Sequence, residues 1–272
     1  MPGTDAAARS GSRYALSGVD DRNMERIVKI PSEFFGRVYV INLPERVDRR
    51  KEVAAALARI GMPLGSAGVE LFPAVKPDGA AGFPSPGVRG CFLSHLNILR
   101  QAQAANLPSV LILEDDVEFS GGFATLWPGI MAQLDGASWD FAYLGYTHVD
   151  DSTMARRSTR SVTMRPYRER VRTTHAYAVQ RPVYQRLIAH LEELERGRPG
   201  DTERGPMDVD GAYNAFRRRY PETVTLIAEP QVAWQRATHS DLHARNWHAL
   251  PGVSALLAPV RMLKNLVRRF RS

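Results

Sequence analysis

Short apolar runs alternate with amphipathic segments along this chain, and that alternation constrains its fold more than any other feature. "GRVYVINL" (36–43) is rich in β-branched and aromatic residues and reads as a buried strand. "DRRKEVAAALARIG" follows at once. Its Val53, Leu57 and Ile60 recur at helical spacing, Asp48 can cap the start, and Gly61 ends it. A strand over 69–75, a helix over 91–106, the strand "SVLIL" and the strand "WDFAYLGY" (139–146) come next. The strand "THAYAVQ" (174–180), helices over 181–195 and 206–220, and a strand over 223–230 complete the pattern. Such alternation predicts an α/β domain with a mostly parallel central sheet, here over 34–249. Residues 1–33 are polar and aperiodic and read as a flexible N-terminal extension. Residues 76–90 read as a Pro/Gly loop, and 150–170 as an Arg/Ser/Thr-rich loop.

In open α/β sheets, ligands bind beyond the carboxyl ends of strands. "SVLILEDDVEF" (109–119) places three acids, Glu114, Asp115 and Asp116, at such an end. Adjacent carboxylates repel one another and persist most easily beside a cation. A hard ion, Mg²⁺ or Mn²⁺, takes oxygen ligands and bridges carboxylates to substrate phosphates. Strand alternation predicts that Glu114 and Asp116 share a face and that Asp115 points the other way. The other reading of the triplet is a solvated acidic turn.

The carboxyl end of the first strand and the start of two helices supply further candidates. Asn42 and Leu43 end that strand, where their backbone can meet a nucleotide. Arg46, Arg49 and Arg50 follow, and one of them can pair with a diphosphate through bidentate donors; a solvated helix face accounts for the others. Ser94 and His95 are expected to open a helix, where backbone N–H groups favour anions; a buried capping histidine is the alternative for His95. Cys91 reads as a packed small residue rather than a nucleophile.

Composition narrows the classes. The net charge of +7 favours an anionic partner. A single cysteine excludes an intrachain disulfide and fits a reducing compartment. No apolar leader and no run of about 18 apolar residues is visible, so a cytoplasmic protein is expected. The segment 250–272 reads as a basic amphipathic helix. Val253, Leu256, Val260, Leu263, Val267 and Phe270 recur along it, with five basic residues from Arg261 to Arg271 and no acid. It can pack on the domain, contact nucleic acid, or lie on an anionic membrane surface through 253–272, which would place the protein peripherally at the inner face of the cytoplasmic membrane.

Three strings in this order, "VYVINLPERVDRR", "RGCFLSHLNILRQA" and "VLILEDDVEF", closely resemble glycosyltransferase family 25, over roughly residues 36–241. That family includes bacterial lipooligosaccharide galactosyltransferases and procollagen galactosyltransferases. The resemblance implies a GT-A-type fold, a single Rossmann-like domain, and inverting, metal-dependent transfer of a hexose, most often galactose, from a UDP-sugar to a glycan or glycolipid such as a lipopolysaccharide core. It implies that Asp116 and Glu114 are the metal acids, with Asp116 the direct ligand, and that Asp115 contacts the donor's ribose or sugar. "GPMDVD" resembles the position of the catalytic base, which makes Asp208 the first candidate and Asp210 the second. His239, in "WQRATHSDL", is placed as a last metal or phosphate ligand. "RTTHAYAV" resembles the segment lining the donor sugar, but Thr173, Thr174 and His175 stand where a glycine is expected.

Two other readings compete. A metal-dependent phosphohydrolase or nuclease would use the same acids but normally needs Asp-x-His clusters, which are absent. A non-catalytic binder of an anionic ligand is the other. Nucleic acid is disfavoured as a partner, since aromatic residues are only 8%, basic residues are dispersed, and no recognition motif is present. A dehydrogenase is disfavoured because "INLPERVD" lacks the Gly-rich turn.

Overall fold

The structure is a computed structural model that describes residues 29–147 and 161–236. The basic tail and His239 lie outside the described residues. The described chain begins with helix α1 (Pro31–Phe34), strand β1 (Arg37–Asn42), α2 (Val47–Arg59), β2 (Val69–Pro73), α3 (Pro86–Ala104), β3 (Ser109–Glu114) and β4 (Val117–Phe119). It continues through α4 (Phe123–Asp135), β5 (Phe141–Thr147), β6 (Thr163–Pro166), β7 (Arg172–Gln180), α5 (Arg181–Glu195), α6 (Val209–Arg219), β8 (Thr225–Glu229) and β9 (Ala233–Gln235).

Seven strands form one sheet in the order β2-β1-β3-β7-β5-β8-β6, and β4 and β9 form a separate antiparallel pair. β1 runs parallel to β2 and β3, and β5 parallel to β8. β7 lies between β3 and β5, antiparallel to both, and β6 is antiparallel to β8. Five strands therefore point one way and two the other: this is an α/β fold with a mostly parallel central sheet.

Period-two alternation sorts the strand residues onto two buried faces. Val38, Val40, Leu111 and Leu113 meet Val53 and Leu57 of α2 and Trp127 and Ile130 of α4 on one face. Tyr39, Ile41, Val110 and Ile112 meet Leu96 and Leu99 of α3, Leu187 and Leu191 of α5 and Phe216 of α6 on the other. Both faces are covered, which is why β1 and β3 read as continuous apolar runs.

Several elements depart from the sequence expectations. α3 begins at Pro86, inside the expected loop, because the Ser85 side chain accepts from Val88 N–H at 3.2 Å and Pro86 occupies the first helical turn. Ser94 and His95 are therefore interior helix residues and not helix openers. α1 begins inside the expected 1–33 extension, with Pro31 and Ser32 buried. β6 lies in the expected 150–170 loop, and α4 falls in a stretch without an assigned element.

Candidate active site

Beyond the carboxyl ends of β1, β2 and β3 lies a cavity of about 410 Å³. Its walls come from Asn42 and Leu43, the segment Ala74–Pro77, the first turns of α3, and Glu114 and Asp115. This volume suits a small ligand. Of the residues read from sequence, Asn42, Leu43, Arg49, Ser94, His95, Glu114 and Asp115 line it. Arg46, Arg50, Asp116, Asp208 and Asp210 are not on its wall.

The acid triplet corrects the expected alternation. β3 ends at Glu114, and Asp115 and Asp116 form a turn before β4, so period two stops at the strand end. Glu114 and Asp115 share the cavity wall, and Asp116 is buried behind it at 4% exposure. Asp115 accepts from Asn42 Nδ2 at 2.8 Å and from Arg49 Nη1 at 2.8 Å. Arg49 also lies 3.6 Å from Asp116. Gln235 Nε2 donates to Asp116 Oδ2 at 3.1 Å, and Oδ1 of Asp116 is buried with no hydrogen-bond partner. Burial, with repulsion from Glu114 and Asp115, pushes the Asp116 carboxyl up to about 8.

The three arginines are committed to the protein. Arg46 pairs with Asp48 at 2.7 Å, Arg49 ties Asp115 to Asp116, and Arg50 donates to Asn42 Oδ1 at 3.1 Å and to Pro44 O at 2.6 Å. Arg49 thus holds the two aspartates and Arg50 holds the Asn42 amide. Lys76, which the sequence reading passed over, lines the cavity and pairs with Glu45.

Ser94 and His95 act from the interior of α3. Ser94 Oγ donates to Gly90 O at 2.6 Å and accepts from Val75 N–H at 2.9 Å, clamping the loop after β2 to the helix. His95 is fully buried. Its Nδ1 lies 2.7 Å from the Tyr177 hydroxyl, and its Nε2 is 3.6 Å from Glu114 Oε1 and has no hydrogen-bond partner.

The two aspartates at the start of α6 differ in environment. Asp208 is the exposed N-cap, and its Oδ1 accepts from Gly211 N–H at 2.6 Å. Asp210 accepts from Thr173 N–H at 2.8 Å, and its carboxyl is pushed up to about 6 by burial, with Asp208 and Glu114 adding repulsion. Thr173 holds a left-handed backbone with φ 67°, unusual for a β-branched residue. The next residue, Thr174, donates from Oγ1 to Glu114 Oε1 at 2.9 Å. Two consecutive residues of β7 thus join Asp210 to Glu114. The resemblance places this segment beside the donor sugar, but the contacts of Thr173 and Thr174 to the two acids emerge only from the antiparallel placement of β7 beside β3.

The residues fit a divalent cation in one respect that can be checked in the geometry. Asp116 presents a buried, orphaned carboxylate oxygen, and its neighbour Glu114 is a second carboxylate whose repulsion a cation would relieve.

Fold and site together define an α/β domain whose ligand cavity lies at the carboxyl ends of its parallel strands. Residues 85–210, just under half of the chain, match the sequence model of glycosyltransferase family 25 (LPS biosynthesis protein). Over that segment the chain is similar to glycosyltransferase family 25, the family that the three motifs resemble. It is 33% identical over 147 residues to "Inactive glycosyltransferase 25 family member 3" of Homo sapiens, covering 47% of this chain and 25% of that protein. It is 32% identical over 137 residues to "Procollagen galactosyltransferase 1-B" of Xenopus laevis, covering 43% of this chain and 22% of that one. The chain thus spans about a quarter of the length of these relatives. A crystal structure of a glycosyltransferase involved in the glycosylation of the major capsid of PBCV-1 aligns with a TM-score of 0.47 and 8% identity, over 76% of this chain and 95% of that one.

Proposed function

We propose that the protein is an inverting glycosyltransferase with a GT-A-type domain, moving a hexose, galactose first among the candidates, from a UDP-sugar to a glycan acceptor such as a lipopolysaccharide core. The observation that carries this reading is the cavity beyond β1, β2 and β3, walled by Asn42, Leu43, Glu114 and Asp115 in a chain that matches the family over residues 85–210. In this reading the nucleotide lies against Asn42 and Leu43, with Asp115 presented to the ribose by Asn42 and Arg49. Lys76 is the cation on the cavity wall nearest in sequence to the loop after β2, and it can approach a diphosphate.

Glu114 and Asp116 would hold the metal, Mn²⁺ or Mg²⁺. When bound, it supplies charge neutralisation where negative charge develops on the departing diphosphate. Thr174 fixes the Glu114 carboxylate, and Gln235 fixes one oxygen of Asp116. Inverting transfer needs one carboxylate to take the acceptor hydroxyl's proton. Asp210 suits that role better than Asp208. Its raised carboxyl is ionised at neutral pH and basic enough to accept a proton, while one oxygen of Asp208 is engaged in capping α6. His239 remains a proposed last ligand. The basic segment 253–272 is proposed to hold the protein at an anionic membrane surface, where a glycolipid acceptor would lie.

The name of the human relative motivates a second reading, a family 25 protein without transferase activity. A screen of UDP-galactose, UDP-glucose and UDP-xylose, with and without Mn²⁺, separates the two. Metal-dependent release of UDP from one donor supports the enzyme. No release from any donor, with no thermal shift by UDP, rejects it.

A further inference from the structure

Cys91, His95 and Glu114 converge on the cavity wall. Cys91 and His95 are four residues apart on α3 and so lie on one helix face, and Glu114 reaches them from the tip of β3. One ligand atom from each falls within 4.8 Å of the others. The independent observation is His95. Its ring is fully buried and its Nε2 has no hydrogen-bond partner, although it faces Glu114 Oε1. At 3.6 Å that approach is too long for a hydrogen bond. It is close to the separation of roughly 3.4 Å that two ligands bonded at about 2.0–2.1 Å to one tetrahedral ion must have. The other ring nitrogen lies 2.7 Å from the Tyr177 hydroxyl, which in turn lies 2.7 Å from that of Tyr213. With Nδ1–H donating to Tyr177, Nε2 presents its lone pair to the cluster. Metal-binding histidines are oriented in this way.

We propose that Cys91, His95 and Glu114 form a site for a borderline-soft divalent cation of the Zn²⁺ class, open to the cavity at its fourth position. One sulfur, one imidazole nitrogen and one carboxylate oxygen form a donor set for Zn²⁺ rather than for Mg²⁺ or Mn²⁺. The three donor atoms lie within 4.8 Å of one another, and a shift of at most about 1 Å brings them to the separations set by Zn–S bonds of about 2.3 Å and Zn–N bonds of about 2.0–2.1 Å. Binding releases a proton from Cys91, because burial and the surrounding carboxylates keep the thiol protonated until a dication is present. The site stands independently of transferase activity. It shares Glu114 with the acid triplet, so Zn²⁺ here draws on the carboxylate that a hard ion at Asp116 would use.

Co²⁺ titration of the full metal-free chain tests the site, because Cys91 is the chain's single cysteine and any thiolate-to-cobalt charge-transfer absorption must come from it. The expected result is one equivalent of Co²⁺ with that absorption, displaced by Zn²⁺. The band should vanish in Cys91→Ser, and affinity should fall about 10-fold or more in Tyr177→Phe, which loses the orienting hydroxyl. In the unaltered protein, Zn²⁺ should also slow alkylation of Cys91 by iodoacetamide, which keeps the test valid if a variant fails to fold. Co²⁺ binding without the sulfur band, or alkylation indifferent to Zn²⁺, would overturn the proposal and leave His95 and Glu114 as an ordinary buried pair.

Discussion

Asp210 accepts the backbone N–H of Thr173 at 2.8 Å, and Thr173 makes that contact from a left-handed conformation at φ 67°. The carboxylate and the strained start of β7 therefore support each other. Thr173 carries the strain beside the residue proposed as catalytic base, and its neighbour Thr174 reaches Glu114 across the sheet. A left-handed L-residue costs roughly 1–2 kcal/mol. Thr173→Gly should remove that cost while losing the Oγ1 contact to His175 Nδ1 at 3.0 Å. We expect a denaturant midpoint no lower than the parent's. A drop of more than about 1 kcal/mol in unfolding free energy would show that the threonine side chain, and not the backbone, is what holds this end of β7.

Asp210→Asn keeps an acceptor for Thr173 N–H and removes the base. The turnover number should fall by about 10²–10⁴-fold with the fold unchanged, as for loss of a general base. In the parent, kcat/KM should rise with pH through about 6 and then level, because the base works only when ionised. The sign for stability is opposite. The folded protein holds this proton more tightly than the unfolded chain, so stability falls as pH climbs from 3.8 to about 6 and is flat above. Asp210→Asn should flatten that part of the pH–stability curve, measured by urea unfolding.

Asp208 separates capping from catalysis. Asp208→Asn should be nearly neutral in stability, and Asp208→Ala should cost about 1 kcal/mol through loss of the bond to Gly211 N–H. Both should keep most of their turnover. A loss as deep as that of Asp210→Asn would make Asp208 the base, as the sequence reading preferred.

Gly145 sits where β5 passes His175 and Ala233, and a Cβ there would collide with His175 Nε2 and the Ala233 carbonyl oxygen. Gly145→Ala should destabilise the fold by about 1–3 kcal/mol, as overpacking does. An unchanged thermal midpoint would contradict the described packing of β5 against β9.

The alternation of strands and helices was legible because each apolar period is local. The cavity's position followed from the same pattern, since Asn42, Leu43 and Glu114 end their strands in the sequence itself. Three things were not legible. Asp115 left its expected face because a turn, not a strand, carries it. Ser94 and His95 moved from a helix start to a helix interior because Ser85 and Pro86 begin α3 earlier than the glycines around them imply. The links from Thr173 to Asp210 and from Thr174 to Glu114 span 37 and 60 residues, and only the antiparallel insertion of β7 brings them together.

Deleting residues 253–272 tests the membrane proposal. The shortened chain should no longer sediment with anionic phosphatidylserine liposomes and should keep its turnover on a soluble acceptor. Liposome binding equal to the parent's would remove the tail from that role.

Release of UDP from UDP-galactose by the parent and by Asp116→Asn, each with and without Mn²⁺, tests the central claim most directly. The account predicts Mn²⁺-dependent release by the parent, and loss of that release in a variant whose thermal midpoint is no lower, because the substitution removes a buried carboxylate repelled by Glu114 and Asp115. Full Mn²⁺-dependent release by Asp116→Asn would contradict the assignment of the acid triplet as the seat of the metal and the donor diphosphate.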